Sequence, residues 1–187
     1  MGQLFNISPI LASALVVIMP FIAFLIQALQ GRKSTSGNIS LIAILLSSVL
    51  SGVFVFAEIW NNIPQMATSE WFTIGSSTFT LGILLNNLTV LMQFVVCIVA
   101  VPVHLYSRSY MKGDTGIHRY WMYLSLFCFA MLGLTISKNL LMMYLFWELV
   151  GFASYLLIGF WFTREAAIQA NKKAFLINKI GDLGFLI

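Results

Sequence analysis

The chain is a succession of apolar runs, each about as long as a bilayer is thick. A helix needs about 20 apolar residues to cross the hydrocarbon. Five stretches reach that length: about Ile7–Leu29, Ile39–Trp60, Ile83–Tyr106, Tyr120–Ser137 and Asn139–Phe162. A sixth starts near Lys172 and runs to Ile187. The fourth is short and meets the fifth through Lys138-Asn139, which fits a helical hairpin turning at the membrane surface. Composition agrees with this pattern. Hydrophobic residues make up 60% and charged residues 9%, against roughly 25% charged in soluble chains. A soluble enzyme, a disordered tail and a disulfide scaffold are excluded. The first span lacks a basic n-region and is too long for the apolar core of a signal peptide, so it is read as permanent. The predicted fold is an all-α polytopic transmembrane helix bundle of about six spans.

Between spans two and three lies NNIPQMATSEWFTIGSSTFTLGILLNN. Its alternating polarity predicts a short hairpin outside the bilayer. The chain then divides into residues 1–82, two helices and the hairpin, and residues 83–187, the start of a larger bundle. Direction follows from the basic residues. Arg32 and Lys33, Arg108, Lys112 and Arg119, and Arg164, Lys172 and Lys173 all fall in alternate loops, eight of the ten basic residues. The opposite side holds Lys138 with Glu58 and Glu70. The positive-inside rule puts the N-terminus outside. Topology therefore accounts for the net charge of +4, and no basic run is long enough to make nucleic acid an expected partner.

Cofactor ligands have little to stand on. Cys97 and Cys128 sit singly in apolar runs and read as packing residues, and His104 and His118 have no ligand spacing. No Gly-x-Gly-x-x-Gly follows a strand. Neither metal nor bound cofactor is expected in this chain.

Three ionisable residues interrupt the apolar runs: Glu148 in YLFWELVGFASYLLIGFW, and Lys179 and Asp182 in NKKAFLINKIGDLGF. A charge at mid-helix costs about 2.5–3.5 kcal/mol on insertion scales. Such a group needs a partner, a wet cavity or a proton. Counting from Asn139, Glu148 is about 14 Å deep; counting from Lys172, Asp182 is about 15 Å deep from the other side. Both carboxyls are thus expected near the midplane. Lys179, one i,i+3 step from Asp182, can pair with it, and Lys172, Phe175, Lys179 and Asp182 share a face. Two readings stand: an ion pair that only fixes helix packing, or a ladder of titratable groups entering from the basic side. Gly151, Tyr155 and Gly159 share the face of Glu148 and permit a close neighbouring helix. Tyr144, one turn before Glu148, can donate to it. His104 reads either as a satisfied interfacial histidine or as a proton relay. The Trp and Tyr residues read mostly as interfacial anchors.

A carboxyl in oil holds its proton; a lysine brought beside it favours release. A thousandfold change in proton affinity is worth about 4 kcal/mol, and moving one charge across 100 mV takes about 2.3 kcal/mol. One such switch suffices to carry a proton against a typical membrane potential. The driving force must come from outside this chain.

From HLYSRSYM through NLLMMYLFWELVGFASYLLIGFWFTREAAIQANKKAFLINKIGD, the sequence resembles the antiporter-like subunit 5 of respiratory complex I, the NuoL/NdhF type. The likeness covers roughly residues 70 to 187 closely, and the first two spans only in hydropathy. Its specific motifs are Trp-Glu-Leu-Val-Gly on one span and Asn-Lys-Ile-Gly-Asp on the next. The resemblance implies that Glu148 pairs with a lysine on a seventh helix, beyond Ile187, in a proton channel. It implies that Asp182 takes part in proton movement or coupling, and that Lys179 stands where relatives carry Arg or Lys. Flavin mononucleotide, iron–sulfur clusters and quinone are implied in partner subunits. The implied partners are the lipid bilayer, other membrane-arm subunits and the remaining C-terminal helices of the same unit.

The chain thus reads as a proton-translocating part of an NADH:quinone oxidoreductase. Two alternatives remain: the large subunit of a multisubunit sodium/proton antiporter, and a structural membrane anchor. The bacterial inner membrane is the expected location, with the mitochondrial inner membrane as the alternative.

Overall fold

The computed structural model describes residues 8–33, 36–60, 63–75 and 77–186. The expected outer limits of the bundle, Ile7 and Ile187, lie outside them. Helix α1 (Pro9–Gln30) begins where the Ser8 hydroxyl accepts the Leu11 N–H at 3.3 Å, and it continues through Pro20 into a 3₁₀ turn at Gly31–Lys33. Helix α2 (Asn38–Val49) runs on through a π-helical segment, Leu50–Phe56, into the short α3 (Ala57–Ile59), so that Asn38–Ile59 is one span. Gly37 starts it with φ +65°, and a Cβ there would lie 2.3 Å from the Trp121 ring. Both facts require glycine.

The predicted hairpin is present. Strands β1 (Gln65–Ile74) and β2 (Ser77–Leu85) pair antiparallel, with a bulge between Glu70 and Phe72. The second strand runs further than the sequence reading allowed, through Ile83, where span three was expected to begin. The helix starts four residues later because Asn86 and Thr89 form a reciprocal cap: each side chain bonds the other's backbone N–H at 2.9 Å. Helix α4 (Asn87–Tyr110) follows, then α5 (Ile117–Thr135), α6 (Leu140–Ile158) and α7 (Glu165–Leu186).

Among the described residues, four helical segments are long and apolar enough to cross a membrane: Pro9–Lys33, Asn38–Ile59, Asn87–Tyr110 and Leu140–Ile158. Helix α5 carries His118 and Arg119 in its first turn and packs between α1 and α6. Helix α7 carries Lys172, Lys173, Lys179 and Asp182. It also begins at Glu165, seven residues before the expected start near Lys172. Its first turns mix Glu165, Gln169 and Asn171 with three alanines and Ile168, and Glu165, near the positive end of the helix dipole, accepts from Gln169 at 2.7 Å. Apolar length alone could not reveal them.

The core joins both halves of the sequence. Val16, Ile44, Val55, Leu85, Val90 and Leu132 are buried together, with Cys97 and Cys128 among them as free thiols. At one end the hairpin is stitched to the α5–α6 joint: Leu84 donates to the Ile136 carbonyl at 3.0 Å, and Lys138 donates to the Gly82 carbonyl at 2.9 Å. The opposite end gathers the basic loops.

Candidate functional site

Helix α7 lies along the face of α6 that the small residues mark. A Cβ on Gly151 would sit 3.4 Å from the Asn178 amide, one on Gly159 would sit 2.3 Å from that of Asn171, and Tyr155 meets Phe175 with ring centroids 5.3 Å apart. The contact is tight at Gly159, while at Gly151 a Cβ would meet Asn178 at ordinary contact distance; α7 packs on the face that Gly151, Tyr155 and Gly159 share.

That approach brings the three ionisable residues together. Lys179 Nζ donates to Glu148 Oε2 in a direct ion pair and stands 3.6 Å from Asp182 Oδ2. The other Glu148 oxygen accepts the Tyr144 hydroxyl at 2.7 Å. Asp182 Oδ1 accepts the Trp147 indole N–H at 3.0 Å. One cation therefore sits between two carboxylates, and each carboxylate is held by a neutral donor from α6.

Two points go beyond the sequence reading. On the resemblance, a cation for Glu148 is expected from a helix beyond Ile187; among the described residues, Lys179 of the neighbouring helix also pairs with it. Trp147, read as one of the interfacial aromatics, anchors Asp182. Its place beside Glu148 in the Trp-Glu motif was the available signal, since adjacent helical residues diverge by about 100° and can serve two partners on one facing helix.

Burial is uneven. The Asp182 side chain is 8% exposed, that of Glu148 25%, and that of Lys179 45%. They border a cavity of about 490 Å³ that opens to the surface of the chain and is otherwise walled by Asn178 and apolar groups such as Leu145, Phe152 and Phe175. The two carboxylates and one lysine sum to one negative charge. A proton on either acid would make the cluster neutral.

His104 belongs to a different cluster. Its Nε2 lies 2.7 Å from Ser40 Oγ, Ser40 Oγ lies 2.7 Å from Ser125 Oγ, and Ser125 donates to Gln27 Oε1 at 3.0 Å. Nδ1 faces the Ala100 carbonyl at 2.8 Å. All four side chains are buried. No hydrogen bond among the described residues joins this chain to Glu148. Trp121, expected at the interface, is fully buried beside His104. Among the described residues no group of three or more His, Cys, Asp or Glu comes together that could hold a metal.

Comparison with known proteins fits these motifs. The family profile described as NADH-Ubiquinone oxidoreductase (complex I), chain 5 N-terminus, matches residues 71–121. The profile described as NADH:quinone oxidoreductase/Mrp antiporter, TM, matches residues 137–187 and so includes Glu148, Lys179 and Asp182. The chain is 45% identical over 139 residues to NAD(P)H-quinone oxidoreductase chain 5 of Synechocystis sp., covering 74% of this chain and 20% of that protein. It is 42% identical over 183 residues to the chloroplastic NAD(P)H-quinone oxidoreductase subunit 5 of Physcomitrium patens, covering 91% and 25%. The corresponding Marchantia polymorpha protein is 42% identical over 179 residues, covering 96% and 26%. The chain spans about a quarter of the length of these relatives. Its fold is similar to that of a chain in the membrane-bound sulfane sulfur reductase, an archaeal respiratory membrane complex, with a TM-score of 0.80, 17% identity, and coverage of 96% of this chain and 36% of that one. On the strength of the two profiles and these relatives, the chain belongs to the chain 5 (NuoL/NdhF-type) family of antiporter-like membrane subunits of NAD(P)H-quinone oxidoreductases.

Proposed function

We propose that this chain forms part of a proton-translocating membrane-arm subunit of an NADH:quinone oxidoreductase, with Glu148 as the group that takes up and releases the proton. The observation that carries this reading is the Lys179–Glu148 ion pair at the edge of an open cavity, with Asp182 as a second acceptor 3.6 Å from the same ammonium. A lysine between two carboxylates has two resting places. While it faces Glu148, that carboxylate remains ionised. When it leans toward Asp182, Glu148 keeps the Tyr144 hydroxyl but loses its cation in largely apolar surroundings, and it then takes a proton from the cavity. Return of the lysine expels that proton. Tyr144 and Trp147 hold the two carboxylates in place while the cation moves, so the switch needs only rotamer changes of Lys179.

Redox chemistry is assigned to partner subunits carrying flavin mononucleotide, iron–sulfur clusters and quinone, and the neighbours of this chain are other membrane-arm subunits and the further helices of its own unit. No step here passes through those groups. The bacterial inner membrane is the proposed location, with the mitochondrial inner membrane as the alternative. A second reading, a subunit of a sodium/proton antiporter, draws on the profile over residues 137–187, whose description names both systems. Purification through this chain separates the two. Flavin and iron–sulfur proteins are expected with it; small membrane partners alone would favour the antiporter.

Glu148→Gln in the assembled complex tests the proton role. Proton uptake coupled to quinone reduction should be lost while the complex still assembles. Unchanged coupling would reject the role and leave the structural-anchor reading.

A further inference from the structure

At the basic end, three separate connections converge. Arg32 from the α1–α2 turn, Thr115 from the α4–α5 turn with His118 and Arg119 from the first turn of α5, and Phe162 from the α6–α7 turn line one open cavity of about 460 Å³. Arg119 is seated there: its guanidinium lies 4.8 Å from the Phe162 ring centroid and 5.9 Å from that of Phe160. Gly116 lies beneath, and a Cβ on it would come within 2.9 Å of the guanidinium and 3.1 Å of the Phe160 ring. Stacking fixes the plane of an arginine and leaves its N–H edge available for an anion.

The local charges do not cancel. Among the described residues, neither Arg32 nor Arg119 forms a salt bridge. The nearby acid, Asp114, accepts the Gly116 N–H at 2.8 Å and the Trp161 indole at 3.0 Å and offsets only part of the charge of Arg119 and Arg164. Arg164 adds a further cation, stacked over Trp161 at 5.0 Å. Glu165 accepts from Gln169. Positive-inside topology explains why basic residues lie on this side. It does not explain why two from different loops share a cavity, one of them braced by aromatic rings.

An apolar feature begins at the same connection. The α1–α2 turn that carries Arg32 joins the two walls of a groove of about 290 Å³. The groove runs from Ile26 and Ile39, next to the turn, to Met19 and Leu46, deeper in the bilayer. Phe162, 56% exposed, and Leu29, 89% exposed, add apolar surface at the same level. A cationic cavity at the membrane surface beside an apolar furrow through one leaflet matches an anionic head joined to an acyl chain.

We infer that Arg32 and Arg119 bind the phosphate of an anionic phospholipid of the basic-side leaflet, with an acyl chain of that lipid in the α1–α2 groove. The ligand chemistry is a phosphodiester anion, and the committed source is the membrane itself. Basic pockets between helices on this side of a membrane are suited to such head groups. Lipid bound there ties the α1–α2 turn to α5 and to the α6–α7 turn that introduces the helix of Lys179.

Photolabelling tests this in the whole complex in its membrane. A phosphatidylglycerol with a diazirine in the acyl chain should label α1 and α2 around Ile22, Ile26 and Ile42 several times more strongly than the matching phosphatidylcholine. Arg32→Gln, in an exposed turn, should cut that labelling about fivefold, the effect of one basic residue near a charged surface. Arg32→Gln with Arg119→Gln should bring it to the phosphatidylcholine level, and Arg32→Lys should retain most of it. Equal labelling by the two lipids, or labelling unaffected by Arg32→Gln, would overturn the inference. Displacement of the phosphatidylglycerol by millimolar inorganic phosphate would overturn the lipid assignment in favour of a free anion.

Discussion

Two of the polar clusters among the described residues are built on opposite plans. The cluster of His104, Ser40, Ser125 and Gln27 is drawn from α1, α2, α4 and α5; it is buried and contains no formal negative charge. The cluster of Glu148, Lys179 and Asp182 sits between α6 and α7; it is charged, has more acids than bases, and borders an open cavity. The first network is buried, leaves the Gln27 amide nitrogen without a hydrogen-bond partner, and ties four helices in one register. A charged network with one cation for two anions keeps an alternative partner within reach. The difference lies in the ratio of partners: a packing role suits the first cluster, and the second carries the proton handling proposed above.

The comparison breaks most visibly at Glu148. Glu148→Gln keeps the volume and removes the charge, and proton movement in the assembled complex should fall about a hundredfold or more, the scale of a proton-transfer group. Lys179→Met removes the shared cation. It should lower proton movement about tenfold, because both acids can still reach the cavity while neither is driven to release its proton. The Asp182→Asn variant keeps an oxygen for Trp147 and should cost less than the lysine change. Wild-type rates for Lys179→Met and Asp182→Asn together would show that the alternative partner has no role.

The His104 cluster should respond in stability alone. Ser40→Ala strips the side-chain partner from His104 Nε2 and one of two from Ser125, and leaving a buried group unsatisfied costs about 1–3 kcal/mol. The thermal midpoint of the purified complex should fall, while proton movement per quinone reduced stays within about twofold. A lost proton signal with an unchanged midpoint would make His104 a relay after all.

The smallest effect is expected at Asp114, outside the membrane segments. The Gly116 N–H, the Trp161 indole and the nearby arginines hold its carboxyl below the ordinary aspartate value of 3.8. Its contribution is therefore complete above that value and is lost as the pH falls beneath it. Trp161 fluorescence should stay constant from neutral pH down to the ordinary aspartate range and change only below it. Asp114→Asn should remove that acid step at a cost under about 1 kcal/mol.

Much of this was legible before any coordinates. Apolar run length gave the bundle, and alternating polarity gave the hairpin. Three ionisable residues in oil marked Glu148, Lys179 and Asp182 as the candidate site, and the small face of Gly151 and Gly159 marked where a helix would press. The missing parts are those that periodicity does not encode. The first turns of α7 break their apolar residues with Glu165, Gln169 and Asn171, so apolar run length alone puts its start seven residues late. The third span was started early because Ile83, Leu84 and Leu85 are equally apolar as strand or helix; the Asn86–Thr89 cap held the correct boundary. Ion-pair partners depend on rotation about two helix axes, so the spacing suggested Lys179–Asp182 while the packing also turned Lys179 to Glu148. The buried chain from Gln27 to His104 joins residues as much as 98 positions apart in sequence, a distance over which a single sequence carries no pairing information.

The central claim is that Glu148 changes protonation state during turnover. Infrared difference spectroscopy of the intact complex, recorded with and without electron supply, reads this directly. The account predicts a protonated-carboxyl band that appears under turnover in the wild type and is absent in Glu148→Gln. A wild-type spectrum with no such band, while protons are still being moved, would show a carboxylate permanently locked to Lys179 and would contradict the account.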